Sequence, residues 1–478
     1  VLIVGAGLAG IAAAVHLQAE CPHKRFIVLE GRERSGGTWD LFRYPGVRSD
    51  SDMSTLGYSF RPWRGDKAIA EGADILRYLE DTAQTHGVDR HIRFQHQVRS
   101  ASWSSEDARW TLTVERGPSR EPVRLSCHFL FICGGYYRYA QGHMPDFPGI
   151  ARFAGRVVHP QQWTPDIDPS GQRVVVIGSG ATAVTLVPAL AQHAAHVTLL
   201  QRSPTYVVSV PAQDRWAQVL RRCLPLRVAY RLTRWKNLAL SMLVVGLSRR
   251  FPERARQWLI HRVRRTVDAS RCDVDTHFSP HYPPWEQRLC LVPDGDLFEA
   301  INSGRASVLT DHIESFTERG LRLRSGREIE ADLVVSATGL EIQLLGDIAL
   351  TVDGRPIELA KTFNYKGLMF SDLPNLAASF GYTRAPWTLK CELACGYVCR
   401  VLRHMDKKGY RQCTPRNHDP AGTRAGKLDF SPGYVLRALK KFPRQGAKAP
   451  WRPHQNFVRD LLDLRYGALE DGVLDFKA

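Results

Sequence analysis

Val1-Leu2-Ile3-Val4-Gly5-Ala6-Gly7-Leu8-Ala9-Gly10 opens the chain, and its reading decides the fold. Four apolar residues make a buried-strand run. The glycines at 5, 7 and 10 come next in GxGxxG spacing, and the Ala-rich stretch 11–18 continues as a helix. A lone GxGxxG is weak evidence. This one follows a strand, opens a helix and is trailed by a second strand, Phe26-Ile27-Val28-Leu29, which ends in Glu30. Gly5 permits the tight turn, Gly7 lets the backbone approach a pyrophosphate, and Gly10 allows close helix–strand contact. The helix N-terminus favours the diphosphate charge, and Glu30 accepts hydrogen bonds from ribose hydroxyls. An adenosine ribose is what FAD has and FMN lacks, so the expected cofactor is FAD.

The same grammar recurs at Arg173. Val174-Val175-Val176-Ile177 leads into Gly178-Ser179-Gly180-Ala181-Thr182-Ala183 and a helix through Leu190. The next strand, Val197-Thr198-Leu199-Leu200, ends in Gln201-Arg202-Ser203 rather than in an acid. An acid there would repel a 2′-phosphate, whereas Arg202 and the Ser203 hydroxyl can bind one, so NADPH is expected over NADH. The fold class is therefore α/β, with two Rossmann-like dinucleotide-binding domains and a helical insertion. Two such sites in one chain narrow the function to a flavoprotein that uses a nicotinamide.

Cysteine positions exclude neighbouring classes. A disulfide reductase would carry a redox-active pair soon after Glu30, yet no cysteine lies between Cys21 and Cys127. No CxxC occurs among the ten cysteines, so neither a zinc ribbon nor a thioredoxin-type motif is indicated, and no metal site is expected. Cys391, Cys395 and Cys399 would share one helix face and read as small buried hydrophobes in a protein of the reducing cytoplasm. At 478 residues, 44% hydrophobic and 24% charged, the chain is long enough for several globular domains. Its longest apolar run, 238–247, is far short of a bilayer span. Because the chain begins inside a strand and without Met, a few residues are expected to precede it, a targeting signal among them being conceivable.

The net charge of +17 is concentrated. Between 215 and 265, basic residues outnumber acidic ones by 13, with Glu253 the single acid. Leu232, Trp235, Leu238, Leu240, Leu243, Leu247 and Trp258 are interleaved at helix-like intervals. The expectation is a helical insertion whose apolar face packs on its neighbours while arginines face water. Membrane-surface contact is the less favoured reading. Nucleic-acid binding is not expected, because no recognised module accompanies the charge.

The residues after the first nucleotide site decide the kind of flavoprotein. Residues 36–50 read GGTWDLFRYPGVRSD, and Phe153, Gly155, His159 and Trp163 stand in FxGxxxHxxxW spacing. Both stretches resemble fingerprints of the Baeyer–Villiger monooxygenases, a family of class B flavoprotein monooxygenases. In the first, Gly36, Gly37, Trp39, Tyr44, Pro45, Gly46 and Asp50 fill every constrained position. The second departs once, at Thr164, where the family usually has Pro or Asp. Flavin-containing monooxygenases tend to lack the Trp found at 163. The stretches 44–58, 178–188, 201–209 and 284–301 are similar to an ethionamide-activating subgroup. The likeness covers residues 1 to about 400.

The resemblance implies that Ala9, Glu30, Thr38, Trp39, Asp40, Leu41, Asp50 and Val98 contact FAD, along with Gly5, Gly7 and Gly10. Gly178, Ser179, Gly180, Ala181, Thr182, Ala183, Val184 and Thr185 would hold the NADPH pyrophosphate, and Arg202 and Ser203 its 2′-phosphate. Arg48, Ser49 and Asp50 would lie where nicotinamide meets flavin. Arg288 resembles the family's catalytic arginine, with Gln287 before it where many members have Lys. His159 and Trp163 read as interdomain linker residues. Trp387 reads equally as pocket wall or as core.

The implied chemistry is reduction of FAD by NADPH, capture of O2 as a C4a-peroxide, and insertion of one oxygen into a ketone to give an ester or lactone. A fixed guanidinium from Arg288 would stabilise the peroxide and the oxyanion of the adduct, with Asp50 orienting it. The same intermediate, protonated, would serve S- or N-oxygenation of sulfides, thioamides or amines. A non-catalytic flavin-binding membrane-surface protein is the remote alternative. The expected division is an FAD unit at 1–148 and 333–478, the latter including the basic C-terminal tail. An NADPH unit would occupy 149–211, with the linker fingerprint at 153–163, and 278–332. The basic insertion would occupy 212–277.

Overall fold

A computed structural model describes residues 1–287, 289–418 and 433–478. The opening apolar run forms the strand Leu2–Val4, central in a parallel sheet of order 376–378, 130–132, 2–4, 27–29, 92–93. Leu2 is in register with Ile27 on one side and Leu130 on the other. Such a centre is buried on both faces, which is why its residues are apolar without alternation. The helix Leu8–Glu20 covers one face and is itself covered by the helix Trp387–Lys408. An antiparallel meander, His96–Ser104, Arg109–Arg116 and Glu121–Cys127, extends this unit and is joined by the strand Ala349–Val352.

The second sheet is also parallel, in the order 306–310, 196–201, 173–177, 333–336, 156–158. The helix Ala181–Leu190 comes directly after Arg173–Ile177, as its glycine spacing requires. One sequence expectation needs correcting here. Leu333–Ser336 does not begin the return to the FAD unit; it pairs with Arg173–Ile177 and Arg156–Val158 and lies inside the second sheet. All four of its residues are buried, and Arg173 ties the strand's entrance through an ion pair to Asp332 at 2.7 Å. The chain rejoins the first unit after this strand, by Ala349–Val352.

The 212–277 stretch is helical, with helices Arg215–Cys223, Leu226–Arg250, Pro252–Arg264 and Val274–His277. Its apolar residues do not pack as expected. Leu238 is buried, but Leu232, Trp235, Leu240, Leu243, Leu247 and Trp258 are exposed. The helix Leu226–Arg250 instead buries a narrow, partly polar face of Ala229, Tyr230, Thr233, Arg234 and Leu238. Arg234 reaches Glu392 of the helix Trp387–Lys408 at 2.8 Å and donates to the Gly57 carbonyl at 2.6 Å. The insertion is thus held by a buried ion pair on the long helix and by Leu238, Leu259, Ile260 and Val263, while Leu232, Leu240, Leu243 and Leu247 stay exposed. No helix among the described residues is long and apolar enough to cross a membrane. Cys391, Cys395 and Cys399 are buried in the first unit's core.

Candidate active site

The two glycine loops share one steric demand and differ in another. Gly5 has φ +99°, and a Cβ there would lie 2.6 Å from the Cys133 carbonyl oxygen. A Cβ on Gly10 would meet the Gly5 carbonyl oxygen at 1.8 Å, so the helix can cross the turn only without a side chain. In the second loop Gly178, with φ +135°, plays the part of Gly5 against Ala337, while a Cβ on Gly180 would meet nothing within 4 Å. Space at that last glycine is room for a ligand to come close. Both helices start on a glycine, at Gly7 and Gly180, with no capping side chain and no acid in the first turn among the described residues. Their first amides are therefore available to an anion.

Glu30 is buried at the end of its strand and accepts from the Ala6 amide at 2.8 Å and the Arg32 amide at 3.0 Å. Burial pushes its carboxyl up, against the pull of those two amides. Beside it, Thr38 hydrogen-bonds the half-buried phenol of Tyr139, which desolvation pushes up to about 12. Tyr139 lies beyond the strand Leu130–Ile132 and was not marked by any motif; the preceding Gly134-Gly135 was its only signal.

A continuous cleft of about 1320 Å³ connects the two loops. Gly5, Gly7, Ala9, Glu30, Thr38, Trp39, Arg48, Ser49, Asp50 and Val98 line it from the first unit. Ala181, Thr182, Val184 and Thr185 line it from the second. Gly10, Asp40, Leu41, Gly178, Ser179, Gly180 and Ala183 support the walls without lining this cleft. Trp387 is wall and core at once, stacked on Tyr136 with ring centroids 4.7 Å apart.

The 36–50 segment is what locks the two units together. Gly46, at φ +75°, sits so tightly on the helix Ala181–Leu190 that a Cβ would lie 2.8 Å from both the Thr185 carbonyl and the Ala189 methyl. The buried Tyr44 hydroxyl, pushed up to about 12 by burial, shares a hydrogen bond with Thr182. Downstream, Arg48, Ser49 and Asp50 are delivered to the cleft wall between the nucleotide loops.

Three of these residues have partners that the sequence did not suggest. Arg48 ion-pairs with Asp296, at the start of the helix Asp296–Asn302, so its charge is already matched. Ser49 is buried and exchanges hydrogen bonds with Ala70: the Ala70 amide donates to Ser49 Oγ at 3.1 Å, and the Ser49 amide donates to the Ala70 carbonyl. These bonds pin the loop to Ala70. Asp40 is buried between Arg32, at 2.7 Å, and Arg43, at 2.5 Å. It shapes the loop around Thr38 and Trp39 instead of facing the cleft.

Arg202 and Ser203 are exposed just past the strand His196–Gln201, and Arg202 has no carboxylate partner among the described residues. They do not line the large cleft. Arg288 lies outside the described residues; its chain neighbours Gln287 and Leu289 line the cleft. His159 is buried in the linker, its Nδ1 accepting from the Gln161 amide at 3.1 Å and its Nε2 3.0 Å from the Gly339 carbonyl. Burial lowers its pKa, and the neutral ring with hydrogen on Nε2 satisfies both contacts. That ties the linker to the turn after Leu333–Ser336, a structural role.

The open glycines, the uncapped helix starts and buried Glu30 fit two dinucleotides. A flavin-binding monooxygenase-like family model matches residues 57–256, and an NAD(P)-binding Rossmann-like model matches residues 3–64. The chain is 50% identical over 477 residues to the FAD-containing monooxygenase EthA of Mycobacterium tuberculosis, covering 100% of this chain and 97% of that protein. It is 51% identical over 484 residues to the putative FAD-containing monooxygenase MymA of the same organism, with 100% and 97% covered. Among solved structures, an oxidised steroid monooxygenase bound to NADP matches with a TM-score of 0.77 at 23% identity, covering 100% of this chain and 99% of that one. An ε-caprolactone-bound cyclohexanone monooxygenase matches at 0.76 and 20% identity, with 100% and 99% covered. The solved structures establish the fold, and the full-length relatives at about half identity establish the family. The chain belongs to the family of FAD-containing monooxygenases that includes EthA and MymA, and is a flavin-dependent enzyme.

Proposed function

We propose that this monooxygenase inserts one oxygen atom of O2 into ketones, giving esters or lactones. The observation that carries the reading is the delivery of Asp50 to the cleft wall at the junction of the two nucleotide loops. A carboxylate in that place is useful for holding a cation, and Arg288 is the cation that its cleft-lining neighbours Gln287 and Leu289 bracket in the chain. Attack on a carbonyl develops negative charge on the substrate oxygen, so a fixed guanidinium lowers that barrier. Oxygenation of a sulfide develops no such oxyanion and has less need of it.

FAD, when bound and reduced by NADPH, supplies the activated oxygen. The residues of this chain hold, orient and shield. Glu30 would hold the FAD ribose, and the amides after Gly7 and Gly180 would hold the two pyrophosphates. Arg202 and Ser203 would take the 2′-phosphate. Asp50 would keep the Arg288 guanidinium aimed at the substrate carbonyl, and Tyr136 and Trp387 would exclude water along one wall.

Coenzyme choice gives a first check. Arg202→Ala should raise KM for NADPH about ten- to a hundred-fold, the worth of a charge-assisted bond to phosphate, and leave NADH nearly unchanged. Steady-state kinetics with both coenzymes measures this; equal losses would make Arg202 structural. The oxygenation itself is tested by product analysis on a matched panel of ketones and sulfides. Esters are expected. Exclusive sulfoxide formation would select the other reading, S- or N-oxygenation of sulfides, thioamides or amines.

A further inference from the structure

The three helices Arg215–Cys223, Leu226–Arg250 and Pro252–Arg264 carry an apolar surface that nothing among the described residues covers. Leu240, Leu243, Val244 and Leu247 recur at three- and four-residue steps and so share one face of the long helix. All four are exposed, Leu243 by 57%. Trp216, Trp235 and Trp258 are exposed on the same insertion, Trp258 by 53%. Scattered exposed leucines need no explanation, but four apolar side chains on one helix face, with exposed Trp216 lining the cleft alongside two of them, mark a binding surface.

Its charge says what kind of surface it meets. The turn between the two longer helices presents exposed Phe251 between the guanidiniums of Arg250 and Arg254, each 5.6 Å from the ring. Arg262 lies over the Trp258 ring at 5.0 Å. Arg249, Arg250, Arg254, Arg262, Arg264 and Arg265 are all exposed, against Glu253 as the only acid between 215 and 265. Leucine and tryptophan side chains set among exposed arginines suit an interface with apolar depth and anionic headgroups. A protein partner of matching shape would have to be both apolar and strongly acidic.

The patch is also continuous with the cleft. Leu240 and Val244 are exposed and at the same time line the cleft, together with Trp216 from the preceding helix. The apolar surface therefore runs into the cavity mouth. The anchoring is rigid, through Arg234 and Glu392 at 2.8 Å and through Tyr230, whose hydroxyl donates to the Tyr58 carbonyl at 3.0 Å.

We infer that the insertion docks the enzyme on an anionic phospholipid surface, with the Leu240–Leu247 face and Phe251 dipping into the headgroup layer and the cleft mouth facing the lipid. The enzyme would then draw apolar substrate from the bilayer, whichever oxygenation the cleft performs. The expected inward packing holds for Leu238, Leu259, Ile260 and Val263 and fails for the Leu240–Leu247 face.

The test is co-sedimentation of the FAD-loaded enzyme with vesicles of phosphatidylglycerol and phosphatidylcholine, against phosphatidylcholine alone, at about 0.15 M salt. Binding to the anionic vesicles is expected, with at least about tenfold weaker partitioning for L243E/L247E, whose side chains can no longer enter the apolar layer. The triple reversal R249E/R250E/R254E should lose about a hundredfold or more on anionic vesicles, as three attractive charges become repulsive. Both variants should keep bound FAD and NADPH oxidation with a small soluble substrate. If L243E/L247E does not fold, Trp258→Ser carries the same readout. Enzyme left in the supernatant with anionic vesicles overturns the inference. So does binding that depends on the arginines but not on the leucines, or a concentration-dependent dimer that L243E/L247E dissolves, which would show a second copy on this face.

Discussion

Arg288→Ala is expected to abolish most ester formation while leaving the flavoprotein intact. Neither glycine loop nor the 36–50 segment contains Arg288, so FAD content and reduction by NADPH should persist. The substitution removes the positive partner of the oxyanion, and losing one such group costs about 10²–10³ in turnover. Oxygen would still be consumed, and the reducing equivalents would leave as hydrogen peroxide. Sulfide oxygenation should fall less, since it builds no oxyanion. Rapid mixing with NADPH and then with oxygen, paired with product and peroxide analysis, separates these steps. Normal ester yield would remove Arg288 from the site. Arg288→Lys should recover only part of the activity, because an ammonium keeps the charge but not the fixed fork.

The second large effect concerns stability. Arg234 is buried and donates to the carbonyls of Ser54 and Gly57 as well as to Glu392. Glu392 also accepts from the Ser59 amide at 2.9 Å and its hydroxyl at 2.7 Å. Glu392→Ala leaves a guanidinium buried without a counter-charge, and such a change costs about 3–5 kcal/mol. Replacing both partners, as R234M/E392L, should cost much less, since no unpaired charge remains. Urea unfolding of the three proteins measures it. A loss below about 1 kcal/mol for Glu392→Ala would mean that the pair behaves like an exposed one. Because this pair fixes the insertion to the FAD unit, limited proteolysis should also cut first within 212–277 in that variant.

Much of this was legible in the sequence because the signals are local. A strand, three spaced glycines and a helix all fall between Leu2 and Glu20, and the steric demand on each glycine is a property of that short stretch. Gly5 and Gly10 are placed as their spacing requires. The 36–50 segment was legible as a motif, but its physical reason was not, since Gly46 meets Ala189 and Tyr44 meets Thr182 across more than a hundred residues. The same holds for Arg48 with Asp296, and for Arg234 with Glu392. Each partner looks like an ordinary charged residue in its own neighbourhood. Leu333–Ser336 was legible as a strand, but an apolar run does not say which parallel sheet it joins. On the insertion, periodicity marked the apolar residues and left open which of them face inward. Burial there tracks Tyr230, Arg234 and Leu238, because the surface that the helix meets includes the carbonyls of 54–57 and the Glu392 carboxylate.

The most direct test of the central claim is product analysis under labelled oxygen. The FAD-loaded enzyme would be given NADPH, ¹⁸O2 and a mixture of cyclic ketones, linear ketones and sulfides of matched size. The account predicts lactones or esters carrying one labelled oxygen in the bridging position, with one NADPH consumed per product. Labelled sulfoxides with no ester from any ketone would contradict it.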